Sequence, residues 1–303
     1  MFEGVGAASP FPIRRIEGLV GLVEEELCAY GLFHRQDERF RWDVGLLAAG
    51  SPRVDATSDV TVELWTALLE LAIQHAGESG ARRLFATTPE DSVLHDVLKA
   101  TGFAAYTKLY ILQGEVPVAA ADAMAQVRPQ HASDVWSIHQ IYNRLTPRPV
   151  QFAEALTSDY WKTGEGRFPT RSKSHSGYVA DSREGVGFFC RIETQRKVPL
   201  VLSMAIGEFE ARLVPLTIAA LNHKGLVGEV VEVVVPAYCQ EFISEFLDEG
   251  FWIESERIAM VRHTTVPRVV QAQYQSPVPV AQNAGRRVTG IGSVLNQRSE
   301  EFS

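Results

Sequence analysis

The apolar positions divide the chain into short helical and extended segments. Ile13, Ile16, Leu19, Val20, Val23 and Leu27 recur mostly at three- and four-residue intervals, which predicts a helix over residues 12–31. Residues 41–50 (RWDVGLLAAG) read as a strand. A helix over 62–76 then turns Leu64, Leu68, Leu71 and Ala72 inward, with Gly77 and Gly80 as its stop. A strand over 82–88, a helix over 89–101 halted by Gly102 and a strand over 105–112 complete this run. The second run opens with a strand near Val127 and helices over 132–145 and 150–161. A hairpin over 177–193 turns at Ser182-Arg183-Glu184-Gly185. A strand (199–207), a helix (208–224), a strand (228–236), a helix (239–249) halted by Gly250 and a strand (255–263) follow.

The two runs repeat. At a constant offset of 148 positions, Leu68, Ala72, His75, Gly77 and Gly80 match Leu216, Ala220, His223, Gly225 and Gly228, and Gly102-Phe103 matches Gly250-Phe251. Each copy reads strand, helix, strand, helix, Gly-Phe, strand. The second copy has more chain ahead of its long helix, so the first reads as truncated. The expected division is a first domain over 1–115, a linker over 116–126, a fuller domain over 127–266 and a flexible tail over 267–303.

Composition narrows the function classes. Of 303 residues, 46% are hydrophobic and 22% charged, the balance of a soluble chain with real cores. A net charge of −8 argues against nucleic-acid binding, which needs a basic face. Cys28, Cys190 and Cys239 have neither disulfide nor metal-site spacing, and no metal is expected. No apolar run suits a membrane span and the N-terminus has no export pattern, so a cytoplasmic protein without a membrane partner is expected.

The order of elements, with GARRLFATTPEDSVLHDVLKATGF in the first copy and VPAYCQEFISEFLDEGF then IAMVRHTTV in the second, resembles the GNAT N-acetyltransferase superfamily. It is similar to tandem GNAT proteins of bacteria over most of residues 41–266. The resemblance implies an α/β fold (α+β, mixed sheet): two acyl-CoA N-acyltransferase (GNAT)-like domains in tandem, the first truncated. It also implies acetyl-CoA, or another acyl-CoA, lying in a split between two parallel strands. The implied activity is acyl transfer to the amine of a small molecule or peptide. A homodimer is left open.

The superfamily holds its cofactor's pyrophosphate on a Q/R-x-x-G-x-G/A loop at the start of the long helix, where free N–H groups and the helix dipole attract anions. Here Glu63 and Trp65 fall at the glycine positions of the first copy, and Ala211 and Leu213 at those of the second. Asp59 and Glu63, and then Glu208 and Glu210, bring like charge, offset in the second copy by Arg212. The resemblance makes Met204, Ile206, Phe209, Glu210, Ala211 and Arg212 the candidate cofactor residues. Arg287-Val288-Thr289-Gly290-Ile291-Gly292 also fits the loop pattern, but in the tail; it is either a chance match or a segment that folds onto a neighbour's cleft.

Transfer needs a base for the amine and often an acid for the leaving thiol. The superfamily's tyrosine, four residues before the Gly-Phe glycine, is replaced by Leu98 and Phe246. Glu232, in a run of valines, and Tyr238 are the substitute candidates. Glu232 is a base if it faces the split and a solvated residue if it does not. His75 and His223 complement helix dipoles or take part in chemistry. Trp136, Tyr142, Tyr160 and Trp161 line an acceptor pocket or fill the core. The lost glycines and tyrosines keep a second reading open, a catalytically degenerate tandem GNAT fold that binds a ligand or a protein.

Overall fold

The computed structural model describes residues 4–5, 16–23, 26–36, 41–49, 59–163, 175–194 and 198–264. One mixed sheet of twelve strands runs through it in the order β1-β2-β3-β4-β5-β12-β6-β11-β10-β9-β8-β7. The first half contributes β1 (Gly4–Val5), β2 (Ile16–Val23), β3 (Glu26–Gln36), β4 (Arg41–Ala49), α1 (Asp59–Glu78), β5 (Arg83–Thr88), α2 (Val93–Ala100) and β6 (Ala104–Glu115). The second contributes α3 (Ala121–Gln126), β7 (Val127–Pro129), α4 (Val135–Leu145), α5 (Arg148–Glu154), β8 (His175–Ser182), β9 (Gly185–Glu193), β10 (Leu200–Ala205), α6 (Leu213–His223), β11 (Val230–Pro236), α7 (Glu241–Asp248) and β12 (Trp252–His263). Among the described residues no helix is long and apolar enough to cross a membrane.

The helix expected over 12–31 is instead the hairpin of β2 and β3, with Ile16 opposite His34 and Val23 opposite Glu26. Gly18, Gly21 and Gly31 lie in these strands. Each would cost a helix interior about 1 kcal/mol, whereas extended chain can pair with β4, Gln36 opposite Arg41. The helix expected over 150–161 stops at Ala155, which takes the left-handed conformation (φ 44°), and a 3-10 turn over Ser158–Trp161 follows. The segment over 116–126 carries α3, and its Val116 and Ala123 are buried in the second half's core.

Side chains alternate between the faces of the sheet. On β9, Phe188 and Cys190 enter the core under α6 and α7, while Phe189 enters the core under α4. On β5, Leu84 and Ala86 pack with α1 and α2, and Phe85 meets Ala153 of α5 on the other face.

The repeated Gly-Phe pairs do the same work twice. Gly102 (φ 82°) and Gly250 (φ 90°) end α2 and α7 in a left-handed turn that a side chain would strain. Phe103 N–H donates to Leu98 O at 2.9 Å and Phe251 N–H to Phe246 O at 3.0 Å. The matched pair Gly77 and Gly225 do not correspond in this way. Gly225 (φ 81°) follows the end of α6, but Gly77 lies within α1, which ends at Glu78, and Gly80 (φ 84°) makes the left-handed turn after it.

The closing strands are exchanged. β6 of the first half pairs with β11 of the second, from Val230↔Glu115 to Pro236↔Leu109. β12 of the second pairs with β5 of the first, from Ile258↔Thr88 to His263↔Arg83. β6 and β12 also pair with each other, with Lys108 bridged to Glu256 between them. Each half therefore completes the sheet of the other.

Candidate functional site

The parallel strands β10 and β11 pair only at Leu200↔Glu232 and Val201↔Val233. Beyond those positions they part. β10 stays on β9 as far as Ala205↔Phe188, and β11 stays on β6 as far as Pro236↔Leu109. A wedge thus opens inside the sheet, between Leu202–Ala205 and Val234–Pro236. Its edges carry backbone N–H and C=O groups facing no strand, groups that favour a partner when shielded from water. The first half opens likewise: β4 and β5 pair over Arg41↔Arg83 to Asp43↔Phe85 and no further.

The mouth of the second wedge is a cavity of about 290 Å3 lined by Ala205, Glu210, Ala211, Tyr238, Cys239 and Phe242, with Glu241 and Glu245 on the α7 side. Burial and nearby Asp248 push the Glu245 carboxyl above its ordinary range, and burial pushes the Cys239 thiol up to about 12. A second cavity, of about 640 Å3, lies on the α4 side of Ile206 and Gly207, between Trp136, Arg144 and Arg183.

The loop ahead of α6 is wound into a 3-10 turn, Gly207–Arg212. Its first N–H, that of Gly207, donates to Glu210 Oε1 at 3.1 Å. Leu213 N–H donates to Glu210 O. Arg212 turns away to α3, donating to Asp122 Oδ2 at 2.6 Å and Gln126 Oε1 at 2.7 Å. A diphosphate would meet three carboxylates at the mouth, Glu210, Glu241 and Glu245, and a guanidinium already committed. The loop does not suit the diphosphate of coenzyme A.

Of the six residues expected to hold the cofactor, Glu210 and Ala211 line the mouth. Ile206 lines the larger cavity. Met204 is buried against α4, and Phe209 is buried beside Gly187. Glu63 and Trp65 both lie inside α1, Trp65 in the core, and residues 50–58 ahead of it are outside the described set, as are 164–174 and the Arg287–Gly292 match. Leu98 and Phe246 are 0% and 1% exposed and pack into the two cores.

Glu232 sits at the closed end of the wedge, half-exposed between buried Val231 and Val233. Tyr238 is at the open end. On the α4 side of the sheet, Tyr142 donates its hydroxyl to Glu154 Oε2 at 2.8 Å. Burial lifts the Glu154 carboxyl above its usual range, against the opposing pull of Tyr142 and Arg41. Burial, then the charge of Glu154, raises the Tyr238 hydroxyl. A carboxyl of raised proton affinity near a shielded phenol can accept and donate protons. Sequence reasoning missed Glu154, the one carboxylate in α5; its only signal was an acidic residue among apolar ones on a short helix.

The other aromatic and histidine candidates divide. Trp161 is core, donating Nε1–H to His139 Nδ1 at 3.1 Å; Tyr160 lies under Arg191, 4.5 Å from its ring centre. Trp136 is 62% exposed beside the larger cavity. His75 meets the edge of Trp42 at 5.5 Å, and His223 stacks on Tyr178 at 6.2 Å while contacting Met124 O. Both histidines thus dock helix ends onto strand aromatics.

No family model and no curated protein matches the chain. Solved structures do. A tandem GNAT protein from the clavulanic acid biosynthesis pathway, in a form without AcCoA, superposes with a TM-score of 0.50 at 14% identity, covering 84% of this chain and 85% of that one. A functionally unknown conserved protein from Staphylococcus epidermidis ATCC 12228 gives 0.50 at 10% identity, covering 81% and 95%. The fold is the GNAT fold, in tandem.

Proposed function

We propose that this chain, a tandem GNAT fold, transfers an acyl group from a thioester to an amine, with the second half as the working half. The observation that carries the reading is the wedge between β10 and β11, open beyond Val201↔Val233 with Tyr238 at its outer end. An acyl thioester in the wedge would supply the electrophilic carbonyl. The chain's own residues supply the rest: free strand edges to orient the thioester, Glu154 to take the proton an attacking amine sheds, and Tyr238 to donate a hydrogen bond at the open end. The likeness to acyltransferases extends to the fold, and the polar group around Glu154 supports a site that handles protons.

The fixed Arg212 favours a second reading, a GNAT fold that binds a ligand without turnover. Calorimetry with acetyl-CoA and with S-acetylpantetheine tests the binding that both need, and release of thiol in the presence of an amine separates them. The proposal expects S-acetylpantetheine to bind, and more tightly than its chemistry alone would give beside the diphosphate-bearing form. Absence of binding by both at millimolar concentration would remove it.

A further inference from the structure

The first half lacks a helix pair of its own like α4 and α5 among the described residues, and α5 of the second half lies across its sheet. Arg83 donates to Phe152 O at 3.4 Å, Phe152 meets His263 at 5.5 Å, and Ala153 packs with Phe85, Tyr106 and Val261. Glu154 is the next residue, so its carboxyl stands over strands of the first half. Two first-half side chains approach there. Arg41, on β4 where the first wedge is still closed, lies 3.8 Å over the Phe85 ring and 2.8 Å from Asp43. Tyr106 meets the edge of Phe85 at 6.2 Å, at the bulge where β6 slips against β12 between Ala259 and Met260.

The exchange of closing strands explains this placement. Tyr106 belongs to β6, which pairs with β11 as far as Pro236↔Leu109. Tyr106 therefore lies just past the end of that pairing, next to the segment that carries Tyr238. With each closing strand kept at home, β6 would not border β11 at all.

We propose that the amine-binding end of the site is built by both halves, Arg41 and Tyr106 from the first and Tyr142, Glu154 and Tyr238 from the second, and that it takes a primary amine on an apolar or aromatic body. The inference rests on the acyl-transfer reading for the amine's role, but the composite site is testable without turnover. Glu154 is hydrogen-bonded by the neutral Tyr142 hydroxyl, and the ion pair of Arg41 is with Asp43, so the Glu154 carboxyl suits one ammonium group; three phenol rings favour an apolar body. Arg41 is here a positioning residue. It acts through Glu154, which faces Arg41 on β4, Tyr106 on β6, Tyr142 on α4 and Tyr238 after β11, while Arg41 itself faces Asp43, Tyr106 and Tyr160 of the 3-10 turn. Arg41 opposes the effect of burial on the Glu154 carboxyl.

The experiment follows the Glu154 side-chain carboxyl by carbon NMR across pH in the full chain, with and without 2-phenylethylamine. Added amine should lower the pH at which Glu154 titrates. Arg41→Gln should raise it and Arg41→Lys should restore it. Tyr106→Phe, which removes one hydroxyl and leaves the ring packing intact, should weaken amine saturation about 2- to 10-fold, the worth of one hydrogen bond. Identical Glu154 titrations in Arg41→Gln and the parent would overturn the proposal. So would unchanged amine saturation in Tyr106→Phe, the variant that decides if Arg41→Gln does not fold. A responsive Glu154 in a chain that transfers no acyl group upholds the composite site and removes the acyl-transfer reading; acyl transfer with Glu154 indifferent to both variants does the reverse.

Discussion

Glu154→Gln should move activity and stability in opposite directions. The substitution keeps the shape of the side chain and an oxygen for the Tyr142 hydroxyl, 2.8 Å away. It removes the proton acceptor. Loss of a general base lowers rate by about 10²–10⁴-fold, or about 3–5 kcal/mol of transition-state stabilisation. The folded state gains. An ionised carboxylate withdrawn from water carries an effective penalty of several kcal/mol, offset here by the hydrogen bond from Tyr142 and the field of Arg41. Because burial prevails and the proton affinity is raised, the net gain for the amide is on the order of 1 kcal/mol at neutral pH. The pH dependence fixes the sign. A carboxyl whose folded value lies above its unfolded value of about 4.3 contributes stability below that pH, which is lost as pH rises through the folded value. Urea unfolding at several pH values should show the parent losing stability over that window relative to Glu154→Gln. A variant less stable than its parent at neutral pH, with no difference in slope, would refute the account of a desolvated base and leave Glu154 a structural residue.

Other consequences are as direct. A β-carbon at Gly187 would lie 2.4 Å from Phe209 Cδ2, so Gly187→Ala should displace Phe209 and the turn that carries it, costing about 1–3 kcal/mol in urea unfolding; unchanged stability would show that Phe209 has room. Phe246→Tyr, at 1% exposure, should cost about 1–3 kcal/mol by burying a hydroxyl without restoring any activity, and a gain in rate would show that the position reaches the wedge. Replacing Glu210, Glu241 and Glu245 together by Gln should tighten acetyl-CoA binding and leave S-acetylpantetheine unchanged, as calorimetry would read. Burial alone would raise the Asp134 carboxyl, but two hydrogen bonds from Arg128 (2.8 and 3.0 Å) and one from His131 N–H (2.7 Å) hold it below the usual range. Its stabilisation should be present at neutral pH and lost as pH falls below about 3.9 through the folded value; Asp134→Asn should flatten that acid slope.

The repeat, the helix stops and most strands are legible because they depend on local patterns: apolar spacing, and glycines that must turn left-handed at Gly102 and Gly250. The hairpin of β2 and β3 is not. Its apolar residues fit a helical period, and what decides against the helix is the cost of Gly18, Gly21 and Gly31 there together with pairing to β4, a partner outside residues 16–36. The strand exchange is hidden for the same reason. β6 and β12 are each suited to close either half, and nothing in AYTKLYIL says which neighbour it meets. The site inherits that blindness. Met204, Ile206 and Glu210 follow from position along one copy, but Glu154 meets Arg41 and Tyr106 only through α5 crossing the first half's sheet, and Tyr106 meets the segment of Tyr238 only through the exchange. Glu232 drew attention as a charge among valines, and its place is the paired, closed end of the wedge.

The central claim is that the second wedge holds an acyl thioester for attack by an amine. It is tested most directly by thiol release from S-acetylpantetheine in the presence and absence of 2-phenylethylamine, with the acylated amine identified by mass. The account predicts amine-dependent release matched by N-acetyl product and slowed about 10²–10⁴-fold in Glu154→Gln. Release that is absent, or equal with and without the amine, would contradict it.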